Sequence, residues 1–157
     1  MAMAELKEGS KAPAFKLPDE KAKARSLGEF KGKWVVLYFY PKDMTSGCTL
    51  EAVDFRDSMA KFKKKKAVVL GVSKDSPERH QKFIDKEDLN FNLLSDEDAK
   101  VCKLYGVYQK KSLYGHQFMG IVRTTFVINP QGKIHKVFHK VKVKDHVDEV
   151  LKALTSS

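Results

Sequence analysis

The segment Val35-Val36-Leu37-Tyr38-Phe39-Tyr40-Pro41-Lys42-Asp43-Met44-Thr45-Ser46-Gly47-Cys48-Thr49-Leu50-Glu51-Ala52 changes character at its middle. It opens with six apolar and aromatic residues without a charge. A short run of this kind, rich in Val, Tyr and Phe, predicts a strand covered on both faces. Pro41 stops the ladder, and Ser46-Gly47 supplies turn chemistry. Beyond the turn the apolar period becomes helical, with Cys48, Ala52, Phe55, Met59 and Phe62 forming one stripe. Cys48 therefore belongs to the first turn of a helix, just past the carboxyl end of a central strand.

Unpaired N–H groups and a partial positive charge point outward at that position. A thiol there ionises more readily, and the thiolate is the reactive form. Thr45, three residues earlier, can bring a hydroxyl beside the sulfur. Spacing alone leaves a second reading open, because a lone cysteine on an apolar helix face is often a small core residue.

Working outward, Leu27, Phe30 and Trp34 lead into the central strand, and Pro13–Pro18 reads as a short edge strand. The helix from Cys48 to about Phe62 is followed by Ala67–Ser73, a second buried strand, which makes a right-handed βαβ unit. Ser76-Pro77-Glu78 is an N-cap, a first-turn proline and an acid, opening a helix to about Lys86. Phe91–Leu94 is a short strand, and Ser95–Asp98 has the capping-box spacing of a further helix carrying Val101, Cys102, Leu104 and Tyr105. Residues 106–120, with scattered aromatics between glycines, read as a long loop that either forms a substrate collar or packs. Ile121–Ile128 and Lys133–His139 read as an antiparallel pair about the turn Asn129–Gly132. Val147, Val150, Leu151 and Leu154 mark a last helix from about Lys144.

This order predicts an α/β, thioredoxin-like fold in which helices flank a central mixed β-sheet. The chain of 157 residues reads as a single domain, 1–157, with residues 1–12 loosely ordered. Open α/β sheets place their reactive groups beyond the carboxyl ends of the strands, where Cys48 falls.

Composition narrows the function. Apolar residues make up 42% and charged residues 32%, an ordinary soluble balance. No run approaches the ~20 apolar residues of a membrane span. The acidic start Glu5-Leu6-Lys7-Glu8 does not read as a secretory signal. The formal net charge of +10 permits weak attraction to polyanions, yet no nucleic-acid-binding motif accompanies it. The run Lys61-Phe62-Lys63-Lys64-Lys65-Lys66 is expected as the solvated, carbonyl end of the helix from Cys48. Only two cysteines, Cys48 and Cys102, point to a reducing cytoplasm rather than a disulfide framework. His135 and His139 share a strand face without a third ligand, so no metal is expected. His80, His116 and His146 are scattered and expected to be exposed. No phosphate loop or dinucleotide fingerprint is present, so no cofactor is expected.

Pro41-x-x-x-Thr45-x-x-Cys48 after a buried strand resembles the active-site signature of the peroxiredoxins. The wider run YFYPKDMTSGCTLEA is similar to their peroxiredoxin Q, or bacterioferritin comigratory protein, subfamily. Leu93-Leu94-Ser95-Asp96 and Gly120-Ile121-Val122-Arg123-Thr124-Thr125-Phe126 extend the likeness over nearly the whole chain. The resemblance implies a thiol-dependent peroxidase acting on hydrogen peroxide and organic hydroperoxides. Its nucleophile would be Cys48, oxidised to a sulfenic acid. It implies that Arg123 favours the thiolate and orients peroxide, that Thr45 bonds the substrate oxygen, and that Pro41 shields the sulfur. Arg123 also stands out unaided, as an arginine alternating with Ile121, Thr125 and Val127 on an interior-looking strand.

This chain departs from the pattern at Ser46, where a proline is usual, and at Val53 and Ile84, where the subfamily's resolving cysteines stand. One-cysteine behaviour follows, with thioredoxin, glutaredoxin or a low-molecular-weight thiol as reductant and a monomer or weak dimer as the assembly. Two alternatives stay open: a two-cysteine mechanism using Cys102, and a non-catalytic basic module in which Cys48 is structural.

Overall fold

The computed structural model describes residues 6–154. Its centre is a five-stranded mixed sheet. The central strand β3 (Trp34–Phe39) lies parallel to β4 (Ala67–Ser73), which lies parallel to β5 (Asn92–Ser95). On its other side β3 runs antiparallel to β8 (Thr124–Ile128), followed by β9 (Ile134–Phe138). The expected mixed sheet flanked by helices is the observed architecture.

The two faces of β3 sort the chain into two cores. Val36, Tyr38 and Tyr40 face Cys48, Ala52, Phe55, Phe62, Phe83 and Val150. They pack against α1 (Ser46–Asp57), α2 (Met59–Lys64), α3 (Pro77–Glu87) and α5 (His146–Ala153). Val35, Leu37 and Phe39 face the opposite way, with Phe15, Leu17, Cys102, Tyr105 and Phe126. That second layer holds α4 (Lys100–Leu104) and the antiparallel pair β1 (Lys16–Pro18) and β2 (Ala24–Ser26). Gly71, opposite Tyr38 in the parallel register, is required there. A Cβ would come within 2.8 Å of Leu93 Cδ2 and 2.9 Å of the Tyr38 ring.

Several expectations are corrected. The single helix from Cys48 to Phe62 is two, broken at Ser58 (φ −103, ψ 3), though its apolar stripe stays buried across the break. Residues 106–120 are not a long loop. They include the hairpin β6 (Tyr108–Leu113) and β7 (His116–Ile121), joined through Tyr114 and Gly115 at φ 51 and 80. Two positive φ values in a two-residue connection match the twist of hairpin strands. Leu113, Tyr114, Phe118 and Met119 are exposed, whereas Tyr108, at the start of β6, packs against the second core.

The strand expected over 121–128 is interrupted at Val122-Arg123, where Val122 N–H donates to Val107 O and Arg123 O accepts from Val141 N–H. The helix after Asp96 begins later than its capping-box spacing suggests, with Ala99 (φ 60) at its cap. Asp96 instead accepts from the N–H groups of Val101 and Cys102. Residues 6–12 are not loose. Gly9 and Ala12 N–H donate to Ile134 O and Gly132 O, at 2.7 and 2.9 Å. Residues 1–5 lie outside the described residues. His80 and His146, expected at the surface, are buried.

Candidate active site

Cys48 is the third residue of α1, and Thr45, in an extended conformation (φ −85, ψ 157), is the helix cap. Thr45 O accepts from Thr49 N–H at 2.8 Å, closing the first turn. The link from β3 is short and sharply folded, with Met44 in the left-handed region at φ 64. That conformation costs a non-glycine residue about 1–2 kcal/mol, so the surroundings must hold it. The outcome is a thiol 2% exposed, beneath the opening of α1.

Arg123 reaches this sulfur from the break between β7 and β8. Its Nη2 lies 3.4 Å from Cys48 Sγ, and Nη1 donates to Glu51 Oε1 at 2.6 Å. The expected company of Arg123 holds in part. Thr125 and Val127 lie on the Cys48 side of the sheet, whereas Ile121 packs into the opposite core. Gly47 leaves room for the guanidinium, since a Cβ there would lie 3.3 Å from Arg123 Nη2.

Glu51 is the residue that sequence reasoning missed. It stands one turn beyond Cys48 and is fully buried. Burial raises its carboxyl from 4.5 to about 7, against the opposing pull of Arg123. Its Oε2 has no hydrogen-bond partner, and neither has the buried Tyr38 hydroxyl. The signal was available: an acid on the apolar stripe of the Cys48 helix must find a cation. Burial pulls the Arg123 guanidinium down, but Glu51 and Cys48 outweigh it and raise it overall. Behind Arg123, His146 hydrogen-bonds Thr125 at 2.8 Å. Burial, with Arg123 adding to it, lowers this imidazole to about 4.

The remaining predicted residues fall into two groups. Pro41 is half-buried in the loop between β3 and α1, while Thr45 is exposed and its hydroxyl donates to Lys42 O at 2.9 Å. Cys102 is not part of this constellation. It is buried in the core on the opposite face of the sheet, and burial together with Asp96 pushes its thiol far up. Val53 and Ile84 are both partly buried.

Among the described residues one group has metal-ligand chemistry: ligand atoms of Asp43, Asp75 and His80 lie within 4.8 Å of one another. Those donors are already engaged. His80 bonds Asp43 Oδ2 and Leu94 O, and Asp75 accepts from Ser73, Arg79 and the Asp43 N–H.

Comparison with known proteins gives the family of a chain that carries a buried thiol touched by a guanidinium. Residues 9–137 match the AhpC/TSA family. The chain belongs to the AhpC/TSA family. A Helicobacter pylori protein named putative peroxiredoxin bcp is 51% identical over 152 residues, covering 97% of this chain and 100% of its own. Peroxiredoxin Bcp of Bacillus subtilis is 49% identical over 146 residues, 93% of each chain. Among solved structures, the Xanthomonas campestris bacterioferritin comigratory protein, studied for alkyl peroxide reduction activity, superposes with a TM-score of 0.85. It is 41% identical over 89% of each chain. The fold and the peroxidase class implied by the Pro41–Cys48 signature are thus those of the family. Among the described residues no helix is long and apolar enough to cross a membrane.

Proposed function

We propose that this chain is a one-cysteine thiol peroxidase whose nucleophile is Cys48. The observation that carries the reading is Arg123, held by buried Glu51 with its other nitrogen at the sulfur. The Cys48 thiolate attacks the nearer peroxide oxygen. The S–O bond forms as the O–O bond breaks, and the electron pair leaves on the second oxygen. That oxygen takes a proton and departs as water or an alcohol, leaving a sulfenic acid. Sulfur loses the two electrons that the peroxide gains.

Arg123 steadies charge on the leaving oxygen in a site that excludes water. Thr45, turned from the Lys42 carbonyl toward the opening, bonds the attacked oxygen, and Pro41 screens the sulfur. Alkyl peroxide reduction in the Xanthomonas campestris relative extends the proposal to organic hydroperoxides.

The sulfenic acid is then attacked by an external thiol, with loss of water, and a second thiol frees Cys48 from the mixed disulfide. Val53 and Ile84 favour this course over an internal one. So does the five-stranded sheet standing between Cys48 and Cys102. Thioredoxin, glutaredoxin and low-molecular-weight thiols are the reductants proposed, in a cytoplasmic setting.

The test is peroxide consumption with each donor, followed by non-reducing mass spectrometry after one equivalent of peroxide. Turnover that is lost in Cys48→Ser, with a sulfenic acid on Cys48 and no 48–102 disulfide, is the expected result. An intramolecular disulfide overturns the one-cysteine assignment, and a Cys48→Ser protein that still turns over removes Cys48 as nucleophile.

A further inference from the structure

The loop between Pro41 and Cys48 is fastened to the buried interior through Asp43. Asp43 is 1% exposed and His80, on α3, is wholly buried. His80 Nε2 faces the Leu94 backbone carbonyl at 3.0 Å, and Nδ1 faces Asp43 Oδ2 at 2.6 Å. A carbonyl can only accept, so Nε2 carries a hydrogen. Nδ1 and Asp43 Oδ2 then have one proton between them, whichever atom holds it. The other Asp43 oxygen accepts from the Tyr40 hydroxyl. The Asp43 backbone N–H donates to Asp75 Oδ2 at 2.8 Å, and Asp75 is held by Ser73 and by Arg79. The ends of β3, β4 and β5 and the first turns of α3 are thereby tied to one loop residue. That residue sits between Pro41 and Thr45, beside Met44 in its left-handed conformation.

We propose that the Asp43–His80 pair is the positioning device of the peroxidase site: it holds the Pro41–Cys48 loop in the form that presents Thr45 and Cys48 to peroxide. This rests on the peroxidase reading above. Neither residue touches the reacting atoms. They act through the loop backbone, because every polar atom of the pair is satisfied only when the loop is folded down. Opening the loop strands a buried imidazole and a buried carboxyl, a state strongly disfavoured away from water.

The inventory of donors gives a rescue variant. In Asp43→Asn the amide N–H can donate to a neutral His80 Nδ1 while its carbonyl accepts from Tyr40, so the links survive without charge. Asp43→Ala and His80→Phe leave no such replacement.

The experiment measures two quantities on the full chain: the second-order rate constant of Cys48 with hydrogen peroxide, and hydrogen exchange at the amides of residues 42–48 against those of β3 and β4. His80→Phe and Asp43→Ala are expected to slow peroxide reaction by about tenfold or more. They should speed loop exchange by a similar factor, with β3 and β4 protection unchanged. Asp43→Asn is expected to stay within about threefold of the parent in both. Wild-type-like values in His80→Phe overturn the proposal. So does exchange that rises equally in the sheet, which marks general destabilisation, or an Asp43→Asn protein as impaired as Asp43→Ala. A parent protein that does not reduce peroxide refutes the peroxidase reading instead, and the exchange comparison still decides whether the pair holds the loop.

Discussion

Replacing Glu51 by glutamine separates what the buried acid does for stability from what it does for Arg123. The side chain has no exposed surface, and its ionisation stands at about 7 where an ordinary glutamate has 4.5. The folded protein therefore binds an extra proton between those values. The stability contributed by the neutral form is complete below about pH 4.5 and is lost as the pH rises through about 7. At about pH 8 the carboxylate costs the fold about 3 kcal/mol relative to a neutral isostere, and at about pH 5 less than about 1 kcal/mol. Glutamine keeps an acceptor for Arg123 Nη1 and places its amide nitrogen where Oε2 already lacks a partner. Any constant cost of that amide cancels when two pH values are compared.

Urea unfolding of both proteins at about pH 5 and about pH 8 should show Glu51→Gln gaining about 2–3 kcal/mol on the parent between them. The comparison must be between proteins, because His146 tilts the parent's own curve the other way. The gain comes at the expense of activity. With its anchoring charge gone, Arg123 is less firmly held, and the peroxide rate constant should drop by about tenfold. A stability difference that is flat with pH, or that favours the parent at the alkaline end, refutes the placement of Glu51 as a strained, buried partner of Arg123.

Three further outcomes follow from the same geometry. Arg123→Met should lower the rate constant for peroxide by about 100-fold. Stopped-flow fluorescence can follow it, since Trp34 is the sole indole. Cys102→Ala should leave turnover with an external thiol within about twofold in a consumption assay, while lowering the thermal midpoint through the cavity it opens. His146→Gln, which retains a hydrogen-bond partner for Thr125, tests the imidazole lowered from 6.5 to about 4. Stability from the neutral ring is full above about 6.5 and falls toward about 4, so roughly 3 kcal/mol of the parent's loss of stability on acidification should be absent from the variant.

What the sequence disclosed follows a physical division. The buried run 35–40 and the stripe from Cys48 to Phe62 were legible because burial on a regular element leaves a period in the chain. Arg123 was legible because a cation beside apolar strand residues conflicts with its surroundings. The hairpin β6–β7 was not, since mostly exposed strands carry no alternation, and its twist is set by local turn conformation. His80 and His146 were misread for another reason. Their burial depends on Asp43 and Thr125, 37 and 21 positions away, and a period counts only neighbours. Glu51 fell between these cases: its spacing put it on the Cys48 face, but the partner that makes an acid tolerable there, Arg123, arrives from the break between β7 and β8, 72 positions away.

In the one-cysteine cycle proposed above, the sheet between Cys48 and Cys102 would set the tempo as well as the chemistry. A tethered second thiol would quench oxidised sulfur at a rate fixed by chain motion, whatever surrounds the molecule. If an external thiol is the sole resolver, as proposed, the oxidised form survives until another molecule collides with it. Its lifetime is then inversely proportional to the abundance of reductant, so the standing fraction of oxidised protein becomes a gauge of the thiol pool around it.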